Sequence, residues 1–291
     1  MRLFKRIAAV AAGVLIIAAV SGVGVVAYQG KSEPSGNPEY VALGSSFAAG
    51  LGLGHRAVGS AFACQRSVNG YPEQLAKLTG QSIVDMTCSG STITHIVRGG
   101  QFFQGPQVRA VTASTRLVTL TSGGNDIGYV GDLVMMAYGN RSALVRSLLE
   151  LVTTFPHADA DRGIAEVEPN LREAIGVIRQ RSPSAHIVIA TYPAILPAKG
   201  TCTALGLTED QVDSMRPVAE ELARATRAAA TGESVTLVDM AVIGAGHDAC
   251  SAAPWTNGSS PQKGAPFHPT LAGAQATANE IRNALDGNVA N

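Results

Sequence analysis

Tyr40-Val41-Ala42-Leu43-Gly44-Ser45-Ser46-Phe47-Ala48-Ala49-Gly50 decides how this chain is read. Four residues of apolar strand character run into a glycine-flanked serine. An exposed serine on a sharp turn after a strand is where a hydrolase places a nucleophile. Outward from this stretch lie three further turns with chemical potential: Cys88-Ser89-Gly90-Ser91, Gly123-Gly124-Asn125-Asp126 and Pro266-Phe267-His268-Pro269.

Short apolar runs alternate with helical patterns around these turns. Strands are expected at Tyr40–Leu43, Ser82–Met86, Arg116–Thr121, His186–Thr191 and Val235–Asp239. Helices are expected at Tyr71–Leu78, Arg162–Arg181, Thr208–Ala230 and Thr270–Leu285. Thr208 is placed to cap its helix, with Glu209 and Asp210 in the first turn. The alternation predicts an α/β fold, a parallel sheet between two helix layers. Such folds build their sites from loops after the C-terminal ends of strands. Ser46, Gly90 and Asn125 follow the first three expected strands, and Asp239 follows the fifth. All four belong on one edge of the sheet.

The chain has 291 residues, and 46% are hydrophobic against 15% charged, so a large core is within reach and disorder is not expected. Net charge is zero, and no basic run beyond the first residues suggests a nucleic-acid partner. Arg2, Lys5 and Arg6 precede an uncharged stretch from Ile7 to Ala27. Residues 1–27 therefore read as a signal peptide or signal anchor, with the remainder secreted or extracytoplasmic, whether released or held at the membrane by this segment. The polar stretch 28–38 reads as a linker and 39–291 as one domain, expected to act as a monomer.

Four cysteines in an exported chain favour two disulfides. Three pairings are open, and Cys64–Cys88 with Cys202–Cys250 closes the most local loops. No two cysteines have the short spacing of a zinc site, so no metal or cofactor is expected.

Acyl transfer needs a nucleophile, a base and donors aimed at the developing oxyanion. Ser46 is the candidate nucleophile. Gly90 can turn a backbone N–H toward a ligand, and the Asn125 amide can project from its glycine-rich loop. His268, held between prolines and an aromatic near the C-terminus, is the candidate base. His247, followed by Asp248, is its strongest rival. The serine lies at the first strand and Ala48 occupies the position of the motif's last glycine, which argues against the mid-chain Gly-x-Ser-x-Gly elbow of the other large serine-hydrolase fold.

Together these four segments resemble the SGNH (GDSL-type) hydrolases, in particular the secreted actinobacterial lipase/esterase branch, over nearly the whole chain from Tyr40. The family's Gly-Asp-Ser-x-x-x-Gly is matched by Gly44 to Gly50, its second-block glycine by Gly90, its Gly-x-Asn-Asp by Gly123 to Asp126 and its histidine by His268. The resemblance implies metal-free ester hydrolysis on a flavodoxin-like three-layer α/β/α sandwich. It implies an oxyanion hole of Ser46 N–H, Gly90 N–H and the Asn125 side chain, and the local disulfide pairing is similar to that of the branch.

Two positions depart from the pattern. Ser45 stands where the family has Asp, which predicts altered hydrogen bonding in the turn. Ala265 stands where the family has the acid that orients the histidine. The Ala265 carbonyl is the first expected substitute, and Asp248, brought near by a Cys202–Cys250 bridge, the second. Leu51, Leu53, Phe102, Phe103 and the Ile127–Met136 stretch are either an acyl pocket or ordinary core. A lipid or other ester is the expected substrate. The competing readings are an O-deacetylase acting on cell-envelope carbohydrate and a non-catalytic envelope binding protein on the same fold.

Overall fold

The computed structural model describes residues 18–31, 33–145, 147, 157, 162–232 and 234–287. Five parallel strands form the sheet: β1 (Tyr40–Gly44), β2 (Ile83–Asp85), β3 (Leu117–Thr121), β4 (His186–Ala190) and β5 (Val235–Val238), in the order β2-β1-β3-β4-β5. All five match expected strands to within one residue at each end. The central strands β1 and β3 are buried along their whole length. Burial on both faces is why they read as continuous apolar runs rather than alternating ones.

The helices in chain order are α1 (Ser46–Ala49), α2 (Tyr71–Thr79), α3 (Ile93–Arg98), α4 (Tyr129–Arg141), α5 (Val167–Arg181), α6 (Glu209–Ala230), α7 (Met240–Ile243) and α8 (Leu271–Leu285). On one face, Tyr40, Ala42, Leu117 and Val188 pack with Leu75 of α2 and with Ala278 and Ile281 of α8. On the other, Val41, Leu43, Val118, Leu120, Ile187 and Ile189 pack with α3, α4, α5 and α6. Alternate strand residues thus feed opposite layers, giving the expected three-layer α/β/α sandwich.

Helix starts follow local chemistry. Thr208 forms a reciprocal capping box with Gln211: the threonine hydroxyl accepts from the Gln211 N–H, and the Gln211 side chain accepts from the Thr208 N–H. Thr270 caps α8 by accepting from the Gly273 N–H. The helix expected from Arg162 begins later, at Val167, after Gly163 turns the chain at φ 65° and a 3-10 turn follows at Ile164–Glu166. Pro169 then falls in the first turn of α5, where a missing N–H breaks no helical hydrogen bond.

Both expected disulfides are formed, Cys64–Cys88 and Cys202–Cys250. Residues 18–30 are helical and, over 18–25, exposed, so helix runs past the expected boundary at residue 27. Residues 1–17 of the expected export segment lie outside the described residues. Among the described residues no helix is long and apolar enough to cross a membrane.

The core depends on β3. Leu120 is fully buried in the larger apolar cluster. Leu120→Ala is expected to lower stability by about 2–5 kcal/mol, read as a lower denaturant midpoint with an unchanged m value.

Candidate active site

The end of β1 is shaped by what surrounds Gly44. Its φ is 144°, and a Cβ there would lie 2.4 Å from the Thr121 carbonyl oxygen, so only glycine fits. The Ser45 N–H donates to that same carbonyl at 3.0 Å, one step beyond the last ladder pair of β1 and β3. On the other side of β1, where β2 is short, the buried Gln107 side chain completes the ladder. Its Oε1 accepts from Gly44 N at 2.8 Å and its Nε2 donates to Gly44 O at 3.1 Å. The same amide nitrogen lies 2.9 Å from Ser91 Oγ, tying β1 to the turn after β2.

Ser46 is therefore the first residue of α1, and its N–H has no intrahelical acceptor. Its Oγ lies 2.7 Å from His268 Nε2. The His268 Nδ1 lies 2.7 Å from the Pro266 carbonyl oxygen. A carbonyl only accepts, so Nδ1 carries the proton in neutral His268, and Nε2 presents its lone pair to the serine hydroxyl.

The orienting acceptor thus differs from both expected candidates. The Ala265 carbonyl instead accepts the His268 backbone N–H at 3.3 Å. Phe267, fully buried, adopts φ 56°. That left-handed residue folds the imidazole back over the carbonyl two residues upstream. Asp248 accepts from Cys250 N at 2.8 Å, so the disulfide it was expected to exploit holds it in a local turn. His247 stacks on Trp255 with ring centroids 4.2 Å apart and reaches the Ala253 carbonyl. Asp239, on the expected edge, pairs with Arg227 and accepts from Thr191 Oγ1.

Gly52 explains how the histidine loop reaches the serine turn. A Cβ at Gly52 would lie 2.5 Å from Ala265 N, so the two loops meet backbone to backbone. Burial of His268 pushes its pKa below the ordinary imidazole value, opposed by the bond to the Pro266 carbonyl.

Gly90 sits at φ 80°. Its N–H donates to no acceptor among the described residues. The Asn125 Nδ2 donates to the Ser91 carbonyl at 2.8 Å, which brings the third turn against the second and leaves its other amide hydrogen available. Asp126 reinforces this junction. Its carboxylate accepts from Ile93 N at 3.0 and 3.2 Å, at the start of α3. Burial raises the Asp126 pKa to about 6.

Tyr192, which carries no local sequence signal, is the partner of Ser45, the residue that stands where the family has Asp. Its hydroxyl accepts from Gly124 N at 3.2 Å and lies 2.9 Å from Ser45 Oγ. One buried phenol therefore joins the serine turn to the asparagine turn. Burial pushes its pKa up to about 12, so it stays neutral. Phe47 lies between, with ring centroids 4.4 Å from Tyr192 and 5.2 Å from His268.

Of the residues considered for an acyl pocket, Ile127, Tyr129, Val130 and Leu133 are core, whereas Leu51 and Leu53 are half-buried and Phe102 and Phe103 are exposed. A cavity of about 420 Å³ lies behind Tyr192, between the segment Pro193–Ala198 and the middle of α6. Among the described residues no group of three or more His, Cys, Asp or Glu converges as metal ligands would.

Comparisons with known proteins agree with this architecture. Residues 42–276 match the model of the GDSL-like Lipase/Acylhydrolase family. "Lipase 2" of Streptomyces coelicolor is 32% identical over 256 residues, 85% of each chain. The crystal structure of an extracellular lipase from Streptomyces rimosus superposes with a TM-score of 0.67 at 26% identity, covering 84% of this chain and 98% of that one. That of phospholipase A1 from Streptomyces albidoflavus NA297 gives 0.66 at 26% identity, covering 87% and 100%. With the sheet, the turns and these relatives in agreement, the chain belongs to the GDSL-like lipase/acylhydrolase family and is an ester hydrolase.

Proposed function

We propose that the protein is an exported lipase or esterase that cleaves carboxylic esters through an acyl-enzyme on Ser46. The single observation that carries this reading is the 2.7 Å contact between Ser46 Oγ and His268 Nε2, with the histidine tautomer set by Pro266. Ser46 Oγ attacks the ester carbonyl carbon while its proton passes to Nε2. The imidazolium so formed keeps its Nδ1–H on the Pro266 carbonyl. The carbonyl oxygen, now negative, is met by the N–H groups of Ser46 and Gly90 and by the free hydrogen of the Asn125 amide. Nε2 then protonates the departing alkoxide, leaving an acyl-serine. Water, deprotonated by Nε2, attacks that carbonyl and releases the acid and free Ser46.

Export is supported by the uncharged N-terminal stretch behind three cations and by two disulfides. A lipid ester is the favoured substrate, in keeping with relatives named as lipases and a phospholipase A1. The N-terminal apolar segment would hold the enzyme near such substrates.

The direct test is hydrolysis of p-nitrophenyl esters from acetyl to palmitoyl. Ser46→Ala is expected to abolish turnover, and Asn125→Ala to lower kcat about 100–1000-fold; undiminished turnover in Ser46→Ala would remove the serine mechanism. An optimum at acetyl would favour a deacetylase instead.

The pH profile reads the base. His268 must be neutral to accept the serine proton, so kcat/KM rises with pH through its pKa. Because burial lowers that pKa, the acid limb is expected to have its midpoint below the ordinary imidazole value of about 6.5.

Tyr192 is a positioning residue. Tyr192→Phe leaves Gly124 N–H and Ser45 Oγ short of a buried partner. Denaturation is expected to show a loss of about 1–3 kcal/mol, and steady-state kinetics a fall in kcat with KM retained.

A further inference from the structure

Phe102 and Phe103 present a contradiction. Both adopt left-handed backbone conformations, φ 49° and 61°, which bulky residues avoid. Yet the strain does not bury them: their exposures are 41% and 59%. Strained backbone persists only where its surroundings over-determine it, and it concentrates at functional sites. Here the surroundings are specific. Gly100 N donates to the Gln104 carbonyl at 2.7 Å, closing the turn. Gln104 Nε2 reaches the sulfurs of the Cys64–Cys88 bridge. The protein spends backbone energy to hold two phenyl rings in water.

A third ring stands beside them. Phe62 is 62% exposed, two residues before Cys64. The N-terminal segment joins this group. Gln29 Oε1 accepts from Phe62 N at 2.8 Å. Gly30 packs so tightly on the backbone of Phe102 and Phe103 that a Cβ there would lie 2.6 Å from both carbonyl oxygens. From that anchorage the helix over 18–30 carries Val20, Val23, Val25 and Tyr28, all more than half exposed. The helix is half-buried at Val26, Ala27 and Gln29 where it meets the protein, while residues 18–25 leave their apolar side chains exposed, as a segment in contact with lipid would. Two exposed cations border the rings: Arg56, with its guanidinium 5.6 Å from the Phe62 centroid, and Lys31.

The same assembly reaches the candidate active site. Gln101, the first residue of the phenylalanine turn, donates from Nε2 to the Ser89 carbonyl at 2.8 Å. Ser89 N in turn donates to the Cys64 carbonyl at 3.0 Å. The aromatic collar and the Gly90 turn are thus one rigid unit, stapled by the Cys64–Cys88 disulfide.

We propose that Phe62, Phe102 and Phe103 form a docking surface for a lipid bilayer, entered beside the N-terminal helix, which holds the Gly90 edge of the active site at the headgroup level. The phenyl rings enter the acyl boundary, and Arg56 and Lys31 meet lipid phosphates. The docking surface stands on its own geometry; its consequence for lipid esters rests on the Ser46 reading given above.

The test uses the full chain in phosphatidylcholine–phosphatidylglycerol vesicles. Phe103→Trp places a reporter in the collar itself, and the parent with Trp255 alone supplies the baseline. In vesicles of dibrominated phosphatidylcholine the Phe103→Trp emission is expected to lose most of its intensity relative to unbrominated vesicles. Equal emission in the two overturns the docking surface. So does protection of the reporter by self-association in lipid-free solution, which would assign the rings to a second copy of the chain. The variant F62S/F102S/F103S is expected to lose about tenfold or more in turnover of a vesicle-packed ester, from the apolar burial forfeited, while hydrolysis of a water-soluble ester is unchanged. Equal losses on both esters also overturn it. Failure of Ser46→Ala to stop soluble-ester turnover would sink the serine mechanism while leaving the fluorescence result to stand or fall separately.

Discussion

A hydroxyl and an imidazole 222 residues apart in sequence meet at 2.7 Å, and most of the architecture serves that meeting. Ser46 leaves the end of β1, an interior strand paired with β2 and β3. His268 arrives in the loop before α8, which packs on the same face of the sheet as α2. The long separation costs little, because closure entropy grows only slowly with loop length. What the contact needs is precision at its two ends. Gly44 allows the serine turn to close on Thr121, and Gly52 allows that turn to lie against Ala265 N. A side chain at either glycine would push backbone from backbone.

The legible part of this arrangement is the part written in local chemistry. All five strands were readable because a doubly covered parallel sheet demands continuous apolar runs. The capping of α6 by Thr208 was readable because the reciprocal bond with Gln211 is itself local. Ser46, Gly90, Asn125 and His268 were readable because each sits in a turn whose glycines or prolines mark it. α3 was not, being only six residues long, nor was α4, whose apolar residues do not gather on one face and so give no helical period. The choice of Pro266 over Ala265 as the histidine's partner was not legible either. It turns on one dihedral, the φ of 56° at Phe267, and nothing in a buried phenylalanine announces that conformation. Gln107 and Tyr192 were silent for a related reason. Each acts across more than sixty residues, on Gly44 and on Gly124, so no neighbouring residue signals the role.

Ser45 shows how a family position can change without loss of the turn it supports. An aspartate there would offer a carboxylate to its neighbours. A serine offers one shorter hydroxyl, and the neighbour must come to it. Tyr192 does so from the end of β4, and by accepting from Gly124 it also fastens the loop that carries Asn125. The dependence has moved from one ionised side chain to a pair of neutral ones. A neutral pair avoids the desolvation cost of a buried carboxylate but demands closer packing, which Phe47 supplies by contact with Tyr192 and His268.

The second departure has the same sign. Where a carboxylate would hold the histidine, a peptide carbonyl does, so both substitutions remove negative charge from around Ser46. Under the proposed mechanism two charges develop together, positive on His268 and negative on the substrate oxygen. A nearby carboxylate stabilises the first and opposes the second. The Pro266 carbonyl still orients the ring and accepts from Nδ1, but as a dipole it stabilises the imidazolium less. The oxyanion, conversely, faces no such charge from these positions. The remaining carboxylate at this junction, on Asp126, already has its pKa raised to about 6 by burial and is turned toward Ile93 N. The site therefore trades base strength for a less negative surround. Burial lowers the His268 pKa and the Pro266 carbonyl only partly opposes it; with no carboxylate beside the ring to raise it further, a base at this position stays unprotonated to lower pH.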